Sequence, residues 1–203
     1  MNQIVLATNN EHKIREISNI MSGLPITILT KKDFTNFPEA DETGATMEEN
    51  AILKAKETFR FCRMPSLADD SGLEVPVLGG APGVGSARYA GPGCTFDDNN
   101  RKLLKALEGI PENDRQATFR CVVAICFGED DVEVVQGKVT GHITTEVRGE
   151  QGFGYDPVFF LPYYKKTFAE IPPEEKNKIS HRAIAISKAR DLLIKRFELK
   201  LKT

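Results

Sequence analysis

Cysteine and histidine are scarce in this 203-residue sequence, at 4 and 3 residues. Their placement excludes two kinds of site. Cys62, Cys94, Cys121 and Cys126 show no C-x-x-C spacing, so no zinc ribbon or redox dithiol is indicated. Cys121 and Cys126 fall on opposite faces of one strand-like run, a poor geometry for a disulfide. All four read as reduced residues that pack as small hydrophobes. Long apolar runs are also missing. Nothing approaches the roughly 18 residues of a membrane span, and M-N-Q-I-V-L-A-T lacks a positive leader. No membrane association and a cytoplasmic location are therefore expected. Neither sign of charge dominates, with 27 Lys and Arg against 29 Asp and Glu. That argues against a dedicated nucleic-acid surface and leaves room for a local basic pocket. Repeats, low-complexity linkers and a firm boundary are absent too, so residues 1–203 are expected to form a single domain.

What is present alternates between two periods. Q-I-V-L-A-T (3–8) reads as a buried strand, and Ile14, Ile17, Ile20 and Met21 then recur at helical spacing. A short strand follows at Ile26–Leu29, then a polar acidic stretch from Thr30 to Ala45. T-M-E-E at Thr46–Glu49 is a capping box leading into a helix to about Arg60. Ser66–Ala68 starts a strand that delivers the adjacent Asp69 and Asp70 before an expected Ser-Gly turn. G-G-A-P-G-V-G-S-A-R-Y-A-G-P-G (79–93) is a loop, and Thr95 with Asp98 opens another helix. Residues 117–127 and 132–139 form a hairpin, and a last helix runs from about Ser180 to Phe197. Helices alternating with strands, plus a hairpin, predict an α/β fold with a mixed sheet.

Four clusters carry residues suited to chemistry. Thr8, Asn9, Asn10 and Lys13 lie where a strand hands over to a helix, whose unpaired N–H groups and dipole favour a phosphate. An ordinary cap with a solvated lysine is the alternative, and G-x-x-x-x-G-K-[ST] is absent. Asp41, Glu42, Glu48, Glu49, Asp69 and Asp70 form a scattered acidic set without histidine, which suits Mg²⁺ better than zinc. The alternative assigns Glu48 and Glu49 to the helix dipole and leaves one aspartate solvated. G-F-G-Y-D-P (152–157) offers Phe153 as a stacking face, or is simply a turn before a core strand. Lys176, His181 and Arg182 supply donors for a carbonyl or a phosphate.

In their order along the chain these segments resemble the inosine triphosphate pyrophosphatase family, hydrolases of non-standard purine nucleoside triphosphates. T-N-N-E-H-K, E-N-A-I-L-K-A, A-D-D-S-G-L, G-G-A-P-G-V-G-S-A-R-Y-A-G, G-F-G-Y-D-P-V-F and E-E-K-N-K-I-S-H-R-A carry the likeness. The resemblance implies a central mixed, twisted sheet flanked by helices, in an elongated two-lobed domain with a deep cleft, commonly homodimeric. It also implies Mg²⁺-dependent cleavage of ITP, dITP and XTP to the monophosphate and pyrophosphate. Carried onto this chain, Asp70 is the general base and a metal ligand, with Asp41 or Glu42 as a second acidic group. Strand alternation turns Asp69 the other way, as a residue that supports the site from behind or is structural. Ser71 contacts substrate. Thr8, Asn9, Asn10 and Lys13 hold phosphates, with Lys54 and Arg88 as further pocket residues. Phe153, Gly154, Tyr155, Asp156, Lys176, His181 and Arg182 form the base and sugar end, where His181 or Arg182 reads the 6-oxo group.

One departure stands at Asn9, where the family has glycine, so Asn9 is expected to adopt positive φ. Two rivals remain. One is a phosphatase releasing orthophosphate, which D-D-S-G fits poorly because an aspartyl nucleophile sits in D-x-D-x-[TV]. The other is a nucleotide-binding protein without turnover.

Overall fold

The computed structural model describes residues 2–38 and 41–199. Among the described residues eight strands alternate with five α-helices: β1 (Asn2–Leu6), α1 (Glu11–Ile20), β2 (Ile26–Leu29), α2 (Met47–Cys62), β3 (Ser66–Glu74), β4 (Pro82–Gly83), α3 (Phe96–Ala106), β5 (Gln116–Gly128), β6 (Asp131–Ile143), β7 (Phe159–Leu161), β8 (Lys166–Thr167), α4 (Pro173–Ile179) and α5 (His181–Arg196). The sheet is mixed and twisted, in the order β2-β1-β3-β5-β6-β7-β8, with β4 on β3. The α/β fold expected from the alternation is the one observed. The chain gathers into two compact units. The first comprises the residues up to Asp70, Cys121–Gly137 and the chain from Arg182; the second comprises Ser71–Arg120 and Lys138–His181.

In the first unit, β1 lies between two parallel neighbours. Val5 pairs with Leu29 of β2 and with Ser66 of β3. A parallel strand covered on both faces needs a continuous apolar run, and Ile4, Val5 and Leu6 are at most 1% exposed. Ile17 and Met21 of α1 and Ala185, Ile186, Ala189 and Leu193 of α5 pack with Ile4, Leu6, Leu67, Val123 and Ile125 into one core. Each such aliphatic side chain contributes roughly 1.5–3 kcal/mol on burial. In the second unit, Leu103 and Leu107 pack with Phe119, Val158, Phe159 and Phe168.

Both helix starts read from the sequence are present, each closed by a capping box. Thr46 and Glu49 exchange hydrogen bonds at the start of α2, and Thr95 and Asp98 do so at α3. Two local expectations fail. The Ser-Gly pair makes no turn: β3 continues through Asp69, Asp70, Ser71 and Gly72, because Leu73 and Glu74 pair with Gly83 and Pro82 of β4. Sheet pairing overrides the local turn signal. Asn9 is not among the described non-glycine residues with positive φ, which are Asn36, Arg63, Lys165 and Glu198. Asparagine therefore stands there without the strain that would call for glycine. The helix α4, opened by Pro173 at its first position, is an addition to the expected elements. Its signal, proline followed by Glu174 and Glu175 with lysines in the last turn, is nonetheless present in the sequence.

Candidate active site

Asp69 and Asp70 lie inside β3, so strand alternation sends their side chains to opposite faces. Each meets its own lysine. Lys13, on the first turn of α1, places Nζ 2.9 Å from Asp69 Oδ2, and Arg182, on the first turn of α5, places Nε 3.3 Å from the same oxygen. Arg182 also donates from Nη1 to Glu16 Oε2 at 2.6 Å. The Asp69 and Arg182 side chains are 0% and 3% exposed. Burial alone would push the Asp69 carboxyl up. Lys13, Arg182 and Lys54 outweigh it and hold the group well below the carboxylate range. Burial likewise opposes the Arg182 charge, and Asp69 and Glu16 overcome it.

On the other face, Lys54 of α2 is the hub. Its Nζ donates to Asp70 Oδ1 at 3.0 Å, to Glu42 Oε1 at 2.8 Å and to the Asp69 carbonyl at 2.8 Å. Burial would lower the Lys54 pKa, yet Asp70, Asp69 and Glu42 together raise it. Asp70 behaves oppositely to its neighbour. Burial pushes its carboxyl above the usual value, Glu42 adds to the rise, and Lys54 and Lys13 compensate only in part. A carboxylate held high in this way is a better proton acceptor than an ordinary aspartate.

Of the three acidic candidates upstream, Glu42 is the one beside Asp70 on the shared ammonium. Glu49 instead accepts from the Ala45 and Thr46 amides as part of the cap. Asp41 is exposed, and its carbonyl accepts from the Thr43 amide. Among the described residues no group of three or more Asp, Glu, His or Cys surrounds a point. Two oxygen ligands from Asp70 and Glu42 nevertheless fit a hard divalent cation that takes its remaining ligands from water and phosphate.

At the end of β1, Asn10 caps α1, its Oδ1 accepting from the His12 and Lys13 amides at 3.0 and 3.3 Å. Thr8 Oγ1 accepts from the Asn10 amide at 3.2 Å. The His12 and Lys13 amides thus bond within the cap, and the Lys13 ammonium beside Asp69 adds positive charge at this turn. Asn9 is exposed.

The second unit holds the remaining candidates. Asp156 Oδ2 accepts from the Phe153 amide at 2.8 Å and from Lys176 Nζ at 2.6 Å. Lys176 Nζ also lies 5.0 Å from the Phe153 ring centre, a cation–π contact. Tyr155 donates to the Ser86 carbonyl at 2.8 Å, and burial pushes its phenol up. His181 stacks on Phe119, with ring centres 4.5 Å apart and planes 5° off parallel. Ser71 is half-buried, Gly154 likewise, and Arg88 is exposed. Sequence reasoning does not single out two of the participants, Glu16 and Ser86. Glu16 has a signal, since it shares a helical face with Lys13 at i, i+3.

The sequence model of the Ham1 family matches residues 4–192. A dITP/XTP pyrophosphatase from Thermoanaerobacter pseudethanolicus is 46% identical over 198 residues, covering 98% of this chain and 100% of that protein. One from Thioalkalivibrio sulfidiphilus is 50% identical over 186 residues, covering 91% and 94%. The structure of a HAM1 protein from Coxiella burnetii superposes with a TM-score of 0.89 at 41% identity, covering 96% of this chain and all of that one. The Staphylococcus aureus Ham1 protein gives 0.86 at 38% identity, covering 96% of this chain and 100% of its own. Matched by the family model over nearly its whole length and by these relatives, the chain belongs to the Ham1 family.

Proposed function

We propose that this protein hydrolyses non-standard purine nucleoside triphosphates, ITP, dITP and XTP, to the nucleoside monophosphate and pyrophosphate. The observation that carries the reading is the division of labour between adjacent carboxylates: Asp69 is buried and locked between Lys13 and Arg182, while Asp70, on the other face of the strand, shares Lys54 with Glu42. The water oxygen bonds to the α-phosphorus, its proton passes to Asp70, and the bond to the bridging oxygen breaks, so that pyrophosphate leaves. Asp70 and Glu42 are the residues that would hold Mg²⁺, which when bound offsets phosphate charge. Lys13 and Lys54 add positive charge at the phosphate end. Phe153, Asp156 and Lys176 serve the base, with Ser71 and Arg88 as further contacts.

Selectivity follows from hydrogen-bond complementarity. His181 donates to the 6-oxo group, and adenine's 6-amino group leaves donor facing donor, at a cost on the order of 1–3 kcal/mol. Arg182, committed to Asp69 and Glu16, acts through Asp69 instead of reading the base. The protein works as a cytoplasmic homodimer on its nucleotide substrate alone, and residues 1–203 serve as one functional domain.

The test is incubation with Mg²⁺ and ITP, GTP or ATP in parallel, with the phosphate products separated by ion exchange. IMP and pyrophosphate, formed far faster than products from GTP or ATP, are expected, and chelation with EDTA should stop turnover. Orthophosphate as the first product would move the scission site and overturn the reading. Tight binding without product would leave a nucleotide-binding protein.

A further inference from the structure

Helix α3 carries two side chains that the proposed reaction does not use, Asn99 and Asn100, each 2% exposed. Asparagine is a poor residue inside a helix, because its amide competes for nearby backbone groups. Neither residue caps α3, since Thr95 and Asp98 do so. Asn99 fastens the glycine-rich loop, accepting from the Ala90 amide at 2.7 Å and donating to the Ala87 carbonyl at 3.2 Å. Asn100 donates from Nδ2 to the Gly154 carbonyl at 2.9 Å, in the middle of G-F-G-Y-D-P. Its Oδ1 is buried and meets no donor among the described residues. A buried acceptor left without a donor is disfavoured. An apolar side chain of similar shape would pack there without that penalty. What the amide supplies, and leucine does not, is the N–H aimed at Gly154.

The segment that receives this bond needs an external anchor. Gly152 and Gly154 have φ of +77° and +65°, conformations that glycine reaches easily and holds weakly. Between and after them sit Phe153 and Asp156. Phe96, the first residue of α3, lies 6.0 Å from Phe153 ring to ring. One helix therefore contacts both the Phe153 ring and the next residue's carbonyl.

We propose that Asn100 is a positioning residue for purine recognition: through Gly154 it holds the Phe153 ring and the Asp156–Lys176 pair where a 6-oxopurine is accepted. The proposal rests on the reading of 152–157 as the base end. Two variants isolate the donor. Asn100→Leu removes the amide, and Asn100→Asp keeps the shape and Oδ1 while replacing the Nδ2 donor with an oxygen. The readouts are kcat and KM for ITP and GTP, IMP affinity by calorimetry, and affinity for inorganic triphosphate as a phosphate-end control.

The expected result is the same for both variants. KM for ITP rises about tenfold, the scale of one lost hydrogen bond in a buried setting; kcat changes little, the ITP-to-GTP preference falls, and triphosphate affinity is kept. Unchanged KM and preference in either variant would overturn the proposal, as would an equal loss of IMP and triphosphate affinity, which marks a general folding role. A wild type that neither hydrolyses ITP nor binds IMP overturns the parent reading and the proposal together. A wild type that does both beside unaltered variants overturns the proposal alone.

Discussion

Replacing either of two adjacent aspartates by asparagine is expected to have opposite consequences. Asp69 has no exposed side-chain surface and serves two cations, Lys13 at 2.9 Å and Arg182 at 3.3 Å. Asp69→Asn leaves both positive charges without their shared carboxylate. Removing one partner from a buried ion pair costs roughly 3–5 kcal/mol. For a chain of this size each kcal/mol lowers Tm by about 2–4 °C, so a fall of roughly 6–20 °C is expected by scanning calorimetry. The pH dependence has a definite sign. Because folding lowers the Asp69 pKa, its stabilisation is full above the unfolded aspartate value near 4 and is lost as pH falls through the lower folded value. The variant should therefore lose less stability than wild type on acidification below about pH 4. Asp70 has the reverse linkage. Its folded pKa is raised, so the ionised group opposes folding at neutral pH, and Lys54 keeps Glu42 and the Asp69 carbonyl when it is removed. Asp70→Asn should leave Tm unchanged or higher while turnover falls on the order of 10²–10⁴-fold. A Tm that drops for Asp70→Asn and holds for Asp69→Asn would refute the assignment of the two faces.

Other expectations follow from the same contacts. Arg182→Ala should lower Tm and reduce ITP and residual ATP turnover in equal proportion, because it releases Asp69 and Glu16; a loss confined to ITP would return Arg182 to the base. Gly152→Ala places a Cβ against the Asp156 carboxylate at φ +77°, so KM for ITP should rise with little change in kcat, measured by steady-state kinetics. Tyr155→Phe leaves the buried Ser86 carbonyl without its donor and should cost about 1–3 kcal/mol in urea denaturation.

Much of this architecture is legible in the sequence because its signals are local. The continuous run at Ile4–Leu6 marks a doubly covered strand, and T-M-E-E and T-F-D-D mark helix starts by side-chain chemistry alone. Strand alternation by itself divides Asp69 from Asp70, whatever the sheet around them. What stays hidden depends on distant partners. Nothing near Gly72 reveals that β4 pairs with Leu73, so the Ser-Gly signal reads as a turn. Lys54 gathers Glu42 and Asp70 from different elements, which explains why Asp41, Glu42 and Glu49 are indistinguishable in sequence. Arg182 reads as a ligand-facing donor because its partner Glu16 lies far away along the chain. Asn100 gives no local signal of its bond to Gly154.

The central claim is that water, activated at Asp70, attacks the α-phosphorus. Single-turnover hydrolysis of ITP in H₂¹⁸O, with both products analysed by mass spectrometry, tests it directly. The account predicts the heavy oxygen in IMP and none in pyrophosphate, and no labelled product from Asp70→Asn on the same timescale. Label in pyrophosphate, or undiminished labelling of IMP by Asp70→Asn, would contradict it.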